Sequence, residues 1–420
     1  MQDSTALLSF EAQRLLAPEQ ALIAYFARAG LSGPALERVP LAAAAGRILG
    51  LDAVAREDHP THARSTMDGF AVASAAGAAR RAVVGEVLMG RTFARALAPG
   101  EAVRVPTGGA LPAGADAVVP QEDVPFEDGA IVPREPVAAG DFVTQRGEDV
   151  AAGDRVLAAG RRIGGPELGV LATLGIADVP VFRRPRVAIV STGDELVDPA
   201  SALADGQIRD SNRYAIAGAL AAYGAEPVHL PRVADTREAL AAALRRALDQ
   251  CDAVVTTGGS SVGERDLVPR VVAELGEPGP IVHGLRVKPG KPTMFGAIDG
   301  KAVVGLPGSP ASALTILEAV ARPIFAALAG ERGARPLALD ARASAPFTGR
   351  SGWTWFVPAR LRAHGGALFA EPLSIRSSHT SLLARASGYV TLGEDAEPIE
   401  TGALVRVTLF SSGGAPIEAQ

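Results

Sequence analysis

The chain has 420 residues, 48% of them hydrophobic, and a formal net charge of −5 from 41 Lys and Arg against 46 Asp and Glu. That length exceeds one ordinary core, so two to four domains are expected, and the acidic balance argues against a nucleic-acid partner, which needs a basic face. The single cysteine, Cys251, excludes an internal disulfide and a cysteine zinc cluster, and it reads as a small core residue. The opening MQDSTALLSFEAQ lacks the basic and apolar regions of a signal peptide, and no apolar run approaches the roughly 18 residues of a membrane span. A soluble cytoplasmic protein with no membrane partner is expected.

Residues 3–50 read as helical, with "SFEAQRLLAPEQALIAYFARAG" carrying Leu and Ala at helical spacing and Gly30 as a stop. From about 51 to 143, short runs (AVVG, EAVRVP, DAVVP, AIVP) alternate with Gly and Pro and predict small β structure. A Gly-rich stretch from 144 to 184 contains "GPELGVLATLG", a short helix. From 331 to 420 short strands return, clearest in "WTWFVPA" and "LVRVTLF".

Residues 185–330 are the most legible. "RVAIVST", "PVHLPRV" and "DAVVTTG" predict strands, and "SNRYAIAGALAAYG" a helix capped by Ser211 or Asn212 and stopped by Gly224. "DTREALAAALRRALDQ" opens with Asp235 and Glu238 at capping-box spacing and carries Leu240, Leu244 and Leu248 on one face. Asp299-Gly300 between "PTMFGAI" and "KAVVGL" predicts a hairpin. "GSPASALTILEAVARPIFAAL" places Ser309 at an N-cap and Pro310 at the first helical position. The alternation implies a doubly wound, mostly parallel sheet covered by helices on both faces. Ligands bind such sheets beyond the carboxyl ends of the strands, where "STGDEL", "TTGGSSVGERD" and "LPGSP" emerge together.

These loops offer two chemistries. Glycine turns (Gly258, Gly259 and Gly263 with Ser260 and Ser261) and the helix start at Pro307, Gly308 and Ser309 present backbone N–H groups to an anion. Asp194, Glu195, Asp210 and Asp266 would repel a phosphate unless a divalent cation lay between, which suits Mg²⁺ bridged to substrate phosphates. Lys288 and Lys291 in "RVKPGKP" could neutralise a second anionic group. The plainer alternatives are a helix cap at Ser309, a capping acid at Asp210, a helix-start acid at Asp266 and solvated charges at both lysines. Common motifs are absent: "GLRVKPGKP" has the wrong glycine spacing for Walker A and Pro292 after its lysine, and no G-x-G-x-x-G, G-x-S-x-G or H-E-x-x-H occurs.

The chain resembles the molybdopterin molybdenumtransferase family, bacterial enzymes related to the C-terminal domain of gephyrin. The matching segments, in family order, are "RSTMDGFAV" (64–72), "VPTGGALPAGADAVVPQED" (105–123), "RGEDV" (146–150), "RPRVAIVSTGDELV" (184–197), "GQIRDSN" (206–212), "DAVVTTGGSSVGERD" (252–266), "KPGKP" (288–292), "GLPGSPASA" (305–313) and "SSHTSLLARASGYVTL" (377–392). The resemblance implies a helical and mixed domain from 1–50 and 144–184, an inserted β-rich domain at 51–143, an α/β molybdopterin-binding domain at 185–330 and a C-terminal β-barrel at 331–420. It implies a homodimer whose site lies between the α/β domain of one subunit and the inserted domain of the other. The implied reaction inserts molybdate into adenylylated molybdopterin with Mg²⁺-dependent release of AMP. A protein that makes the adenylate and apoproteins of molybdoenzymes are the implied partners. Thr107, Asp149, Glu195, Asp266, Lys288 and Lys291 match family active-site residues, with Glu195 and Asp266 as the implied metal ligands.

Four positions in three stretches depart from the family pattern. "HARST" has His62 and Ala63 where an aromatic and a site aspartate are usual, Ser309 replaces an Asn, and Gly109 replaces an Ala. Asp58 and Asp68 lie near the missing carboxylate in sequence, and Glu122 follows the matched "AVVPQED" stretch, so another acid could fill its place. Two readings follow: a working insertase, or a paralogue that holds the cofactor or its precursor with weak or no insertion.

Overall fold

The computed structural model describes residues 15–258, 267–333, 335–374, 381–411 and 413–419. Its central element is a six-stranded sheet in the order Glu226–His229, Arg186–Ser191, Ala253–Thr257, Lys301–Leu306, Met294–Ile298, Pro278–His283. The first four strands run parallel, and Met294–Ile298 is antiparallel to both of its neighbours. Because the four inner strands are covered on both faces, they are buried along nearly their whole length rather than alternating. Val187 and Ile189 face one core, with the helices Asn212–Ala222 and Pro310–Ile316; Ala188 and Val190 face a second, with Arg237–Gln250 and Leu267–Leu275. Asp299 and Gly300 both have positive φ, 49° and 76°, at the predicted hairpin. Cys251 is buried at the foot of its strand.

The remaining chain forms β-rich units. Residues between 69 and 131 build a six-stranded sheet in the order Ala117–Pro120, Gly69–Val72, Glu101–Val105, Arg81–Glu86, Ala130–Ile131, Phe126–Glu127. In the C-terminal region Thr354–His364, Ala367–Pro372, Ala338–Ala343, Leu404–Leu409 and Gly388–Leu392 pair in turn, and Gly388–Leu392 pairs back to Thr354–His364, which closes a five-stranded barrel. Leu36–Pro40 pairs with Asp178–Phe182 and Ala53–Val54 with Arg155–Leu157, so the two chain segments flanking the inserted sheet lie together.

Three expectations are corrected. The helix expected over 3–50 spans only Pro18–Arg28 among the described residues. Gly30, Gly33, Pro34 and Pro40 cannot propagate it, and its Ala21, Tyr25 and Ala29 pack into the α/β core. The cap of Arg237–Gln250 is Thr236, whose hydroxyl accepts from the Ala239 N–H at 3.3 Å; Asp235 instead accepts from the Thr192 hydroxyl. Finally, Pro310–Leu328 forms 19 continuous helical residues of mean hydropathy 1.5, long and apolar enough to match a membrane span, with 72% of that window buried within the protein. It is apolar all round because it lies against the sheet and Asn212–Ala222 as a core helix.

Candidate functional site

The strand order turns between Arg186–Ser191 and Ala253–Thr257, because the chain runs from the first outward to Glu226–His229 and then crosses to the second. A cleft is expected at such a switch point. One is present, lined by Thr192, Glu195, Leu196, Arg209, Asp210, Asn212, Thr257, Gly258, Gly308 and Pro310. All three strand-end loops therefore meet, as far as the described residues extend. Asn212 ties them: its amide donates to Thr257 Oγ1 at 2.7 Å and to the Gly308 carbonyl at 2.8 Å. Gly258 has φ +89°, and a Cβ there would sit 2.1 Å from the Thr192 carbonyl oxygen, so no other residue fits without moving a strand end.

Asp210 is buried at the start of Asn212–Ala222. One carboxylate oxygen accepts from the Arg213 N–H at 3.2 Å, which is capping, while the other is enclosed with no partner. Glu195 is exposed at the cleft rim. Asp194 is exposed and does not line the cleft. Among the described residues no three His, Cys, Asp or Glu side chains cluster as a closed metal cage.

A second cavity of about 550 Å³ opens beside the first and shares Gly308 with it. Lys288 and Lys291 line it, together with Pro307, Ser309, Ser312 and, from the barrel, Arg350, Trp353 and Trp355. Lys288 Nζ lies 5.3 Å from the Trp355 ring and Lys291 Nζ 5.9 Å from the Trp353 ring, distances at which a cation is attracted to the ring face. Gly290, at φ +112°, packs where a Cβ would lie 2.2 Å from Ile316, so the Lys-Pro-Gly-Lys turn sits close against the core helix. Ser309 occupies the N-cap position, yet its hydroxyl donates to Ser312 Oγ at 2.7 Å rather than capping a backbone N–H. The cavity thus gathers three cationic side chains with hydroxyls and ring faces.

Thr107 and Asp149 line neither cavity. Thr107 donates both its N–H and its hydroxyl to Asp68 Oδ1, at 2.6 and 2.8 Å, and these bonds, the N–H first, hold the Asp68 carboxyl below its usual range. Asp149 is exposed. Of the three acids named for the place of the missing carboxylate, two are engaged: Asp58 binds the Ala152 N–H at 2.8 Å and Arg146 Nε at 2.7 Å, and Asp68 holds Thr107; Glu122 is exposed. Gly259, Ser260, Ser261, Gly263 and Asp266 lie outside the described residues. Asn212 as a tie, and Arg350, Trp353 and Trp355 as lining, were not legible as site residues in sequence. The one available signal was the spacing of Trp353 and Trp355, which sends both rings to the same side of an extended chain.

Comparison with known proteins resolves what this arrangement belongs to. Residues 11–175 match the MoeA N-terminal region (domain I and II), 188–327 a probable molybdopterin binding domain, and 340–410 the MoeA C-terminal region (domain IV). Molybdopterin molybdenumtransferase of Bacillus subtilis is 31% identical over 376 residues, 87% of each chain. The enzymes of that name from a Nostoc species and from Haemophilus influenzae are each 36% identical, covering 73% and 70% of this chain and 72% and 74% of their own. The chain belongs to the molybdopterin molybdenumtransferase family. Two crystal structures of the molybdopterin biosynthesis MoeA protein of Pyrococcus horikoshii share the fold across 94% of this chain, with TM-scores of 0.78 and 0.79 at 34% and 26% identity, and are themselves covered to 99% and 100%. Membership in the molybdopterin molybdenumtransferase family makes the chain a transferase of molybdenum cofactor biosynthesis, and the barrel and doubly wound domain agree with the fold that the resemblance implied.

Proposed function

We propose that the protein inserts molybdate into adenylylated molybdopterin and releases AMP. The observation that supports this most directly is the adjacency of two cavities: the strand-end cleft and the Lys288–Lys291 cavity meet at Gly308. A substrate with phosphate and pterin groups takes the cleft, where Asn212 and the glycine turns hold the loops in place. Molybdate, a divalent oxyanion, takes the cavity, where Lys288, Lys291 and Arg350 balance its charge in a partly dry setting. A shared wall brings the two substrates together, so orientation supplies much of the rate.

Mg²⁺ fits the cleft as a hydrated ion shared with substrate phosphate. The exposed carboxylate of Glu195 and the unpartnered oxygen of Asp210 are hard donors of the right kind, and too few for an all-protein cage. Bound there, the ion would supply charge neutralisation at the phosphate as AMP leaves. The decisive experiment is reconstitution with adenylylated molybdopterin, Mg²⁺ and molybdate, following AMP release; molybdate-independent release, or none, would remove the insertase reading.

The engagement of Asp58 and Asp68 supports a second reading, in which the missing carboxylate at Ala63 leaves a binding protein with little insertion. Under it, Ala63→Asp raises AMP release by on the order of tenfold or more while ligand affinity stays within about twofold, since only the chemical step gains. A wild type as fast as the variant would retire this second reading. The working form is a homodimer, which brings Thr107 and Asp149 of one subunit to the cleft of the other, in the cytoplasm. A protein that makes the adenylate and apoproteins of molybdoenzymes are its partners upstream and downstream.

A further inference from the structure

The cavity that holds Lys288 and Lys291 has two walls from distant parts of the chain, and one ion pair joins them. Arg286 Nε donates to Glu394 Oε1 at 2.7 Å, with both side chains about one quarter exposed, at 30% and 25%. Arg286 lies two residues before Lys288. Glu394 lies two residues beyond the end of the barrel strand Gly388–Leu392. Main-chain bonds continue the clamp on both sides. The Thr354 N–H donates to the Arg286 carbonyl at 3.0 Å, and the Gly352 N–H to the Glu394 carbonyl at 2.8 Å. Val287–Lys288 then pairs in parallel with Thr354–Trp355. The lysine turn is thereby sewn to the segment that presents Arg350, Trp353 and Trp355, with Arg286 and Glu394 at the closed end of the seam.

We propose that Arg286 and Glu394 are positioning residues that set the width of the oxyanion cavity, and through it the affinity for a tetrahedral divalent oxyanion. The affinity part rests on the reading above that molybdate occupies this cavity; the geometric part does not. Neither residue lines the cavity, so neither touches the anion. Two main-chain bonds and a two-residue strand pairing are a short seam, and such a seam opens readily unless side chains close it. A half-buried, charge-assisted bond is stronger than an exposed pair. When it is broken, Lys288 moves relative to Trp355 and the three cations no longer converge.

The test uses the full-length protein and its own fluorophores. Trp353 and Trp355 are its two tryptophans, and both line the cavity, so tryptophan emission reports on this cavity. Four proteins are compared after circular dichroism confirms folding: wild type, Glu394→Gln, Arg286→Lys, and the charge swap Arg286→Glu with Glu394→Arg. Without ligand, acrylamide quenching should rise by roughly half or more in the single variants and return toward wild type in the swap. Titrated with sodium molybdate, the single variants should bind about fivefold to tenfold more weakly, within the range found for coupled neighbours, and the swap should recover most of that loss. A structural role alone would lower the melting temperature while leaving quenching unchanged, and unchanged quenching in folded Glu394→Gln overturns the proposal. Lys291→Ala separates the two levels: if it and the wild type show the same absence of molybdate response, the molybdate reading fails while the quenching series still decides the positioning role.

Discussion

Asn212 shows how one side chain can hold a ligand site it was not expected to define. Its position suggested a helix cap, a role that needs only a local bond. In the fold its amide reaches two different strand ends, Thr257 and Gly308, and nothing in the local sequence encodes that reach. Asn212→Ala takes the amide donor away from the buried Thr257 hydroxyl, so we expect a loss of about 2 kcal/mol and a distorted cleft. Urea denaturation measures the first; an unchanged midpoint would show that the tie is replaceable. Asp68 offers a second test at this scale. The Thr107 N–H, then its hydroxyl, hold the carboxyl below its usual range. A depressed carboxyl contributes stability above its unfolded value of about 3.9 and loses it as pH falls through the folded value. Thr107→Ala removes only the hydroxyl, so the Asp68 titration followed by NMR should move part of the way up and no further. A curve that does not move would mean that the hydroxyl bond contributes nothing.

Among the elements, the doubly wound sheet was legible because its signals are local. Runs such as "RVAIV" and "DAVV" are apolar on both faces, the Asp299-Gly300 turn has its own backbone chemistry, and Gly224 and Pro310 mark helix ends. The errors fall where tertiary partners decide. Asp235 has the spacing of a capping residue, but Thr192 from the neighbouring strand end claims it, and Thr236 caps instead. Residues 31–50 carry enough alanine and leucine to suggest a helix, yet the pairing of Leu36–Pro40 with Asp178–Phe182 keeps that stretch extended, and only the short turn Leu41–Ala43 is helical. The barrel was legible only as a set of short strands, because closure depends on Gly388–Leu392 pairing with Thr354–His364, a long-range fact. Thr236→Ala should therefore cost about 1 kcal/mol as the loss of a true cap, measured by thermal unfolding. Asp235→Ala should leave helix content alone and loosen the Thr192 loop. Equal loss of helix signal in both variants would restore Asp235 as the cap.

At the scale of the molecule, the family site residues fall into two groups that the described cavities keep apart. Glu195, Lys288 and Lys291 line the α/β cavities; Thr107 and Asp149 sit on the inserted domain and its border and line neither. In the proposed dimer these groups meet across the interface, each site using one subunit's cleft and the other's inserted domain. This arrangement makes a prediction that a single-chain site does not share. Lys291→Ala and Asp149→Asn should each lose activity by on the order of 10²-fold through loss of an electrostatic contact. When the two inactive proteins are mixed and allowed to exchange subunits, half of the dimers are hybrids. Each hybrid carries one site with both defects and one with neither, so AMP release should recover to about a quarter of wild type, as two-fold symmetry requires. The same mixture without subunit exchange should stay inactive. If exchange is confirmed and activity does not return, each chain holds its own complete site, and Asp149 must then act on the cleft of its own subunit.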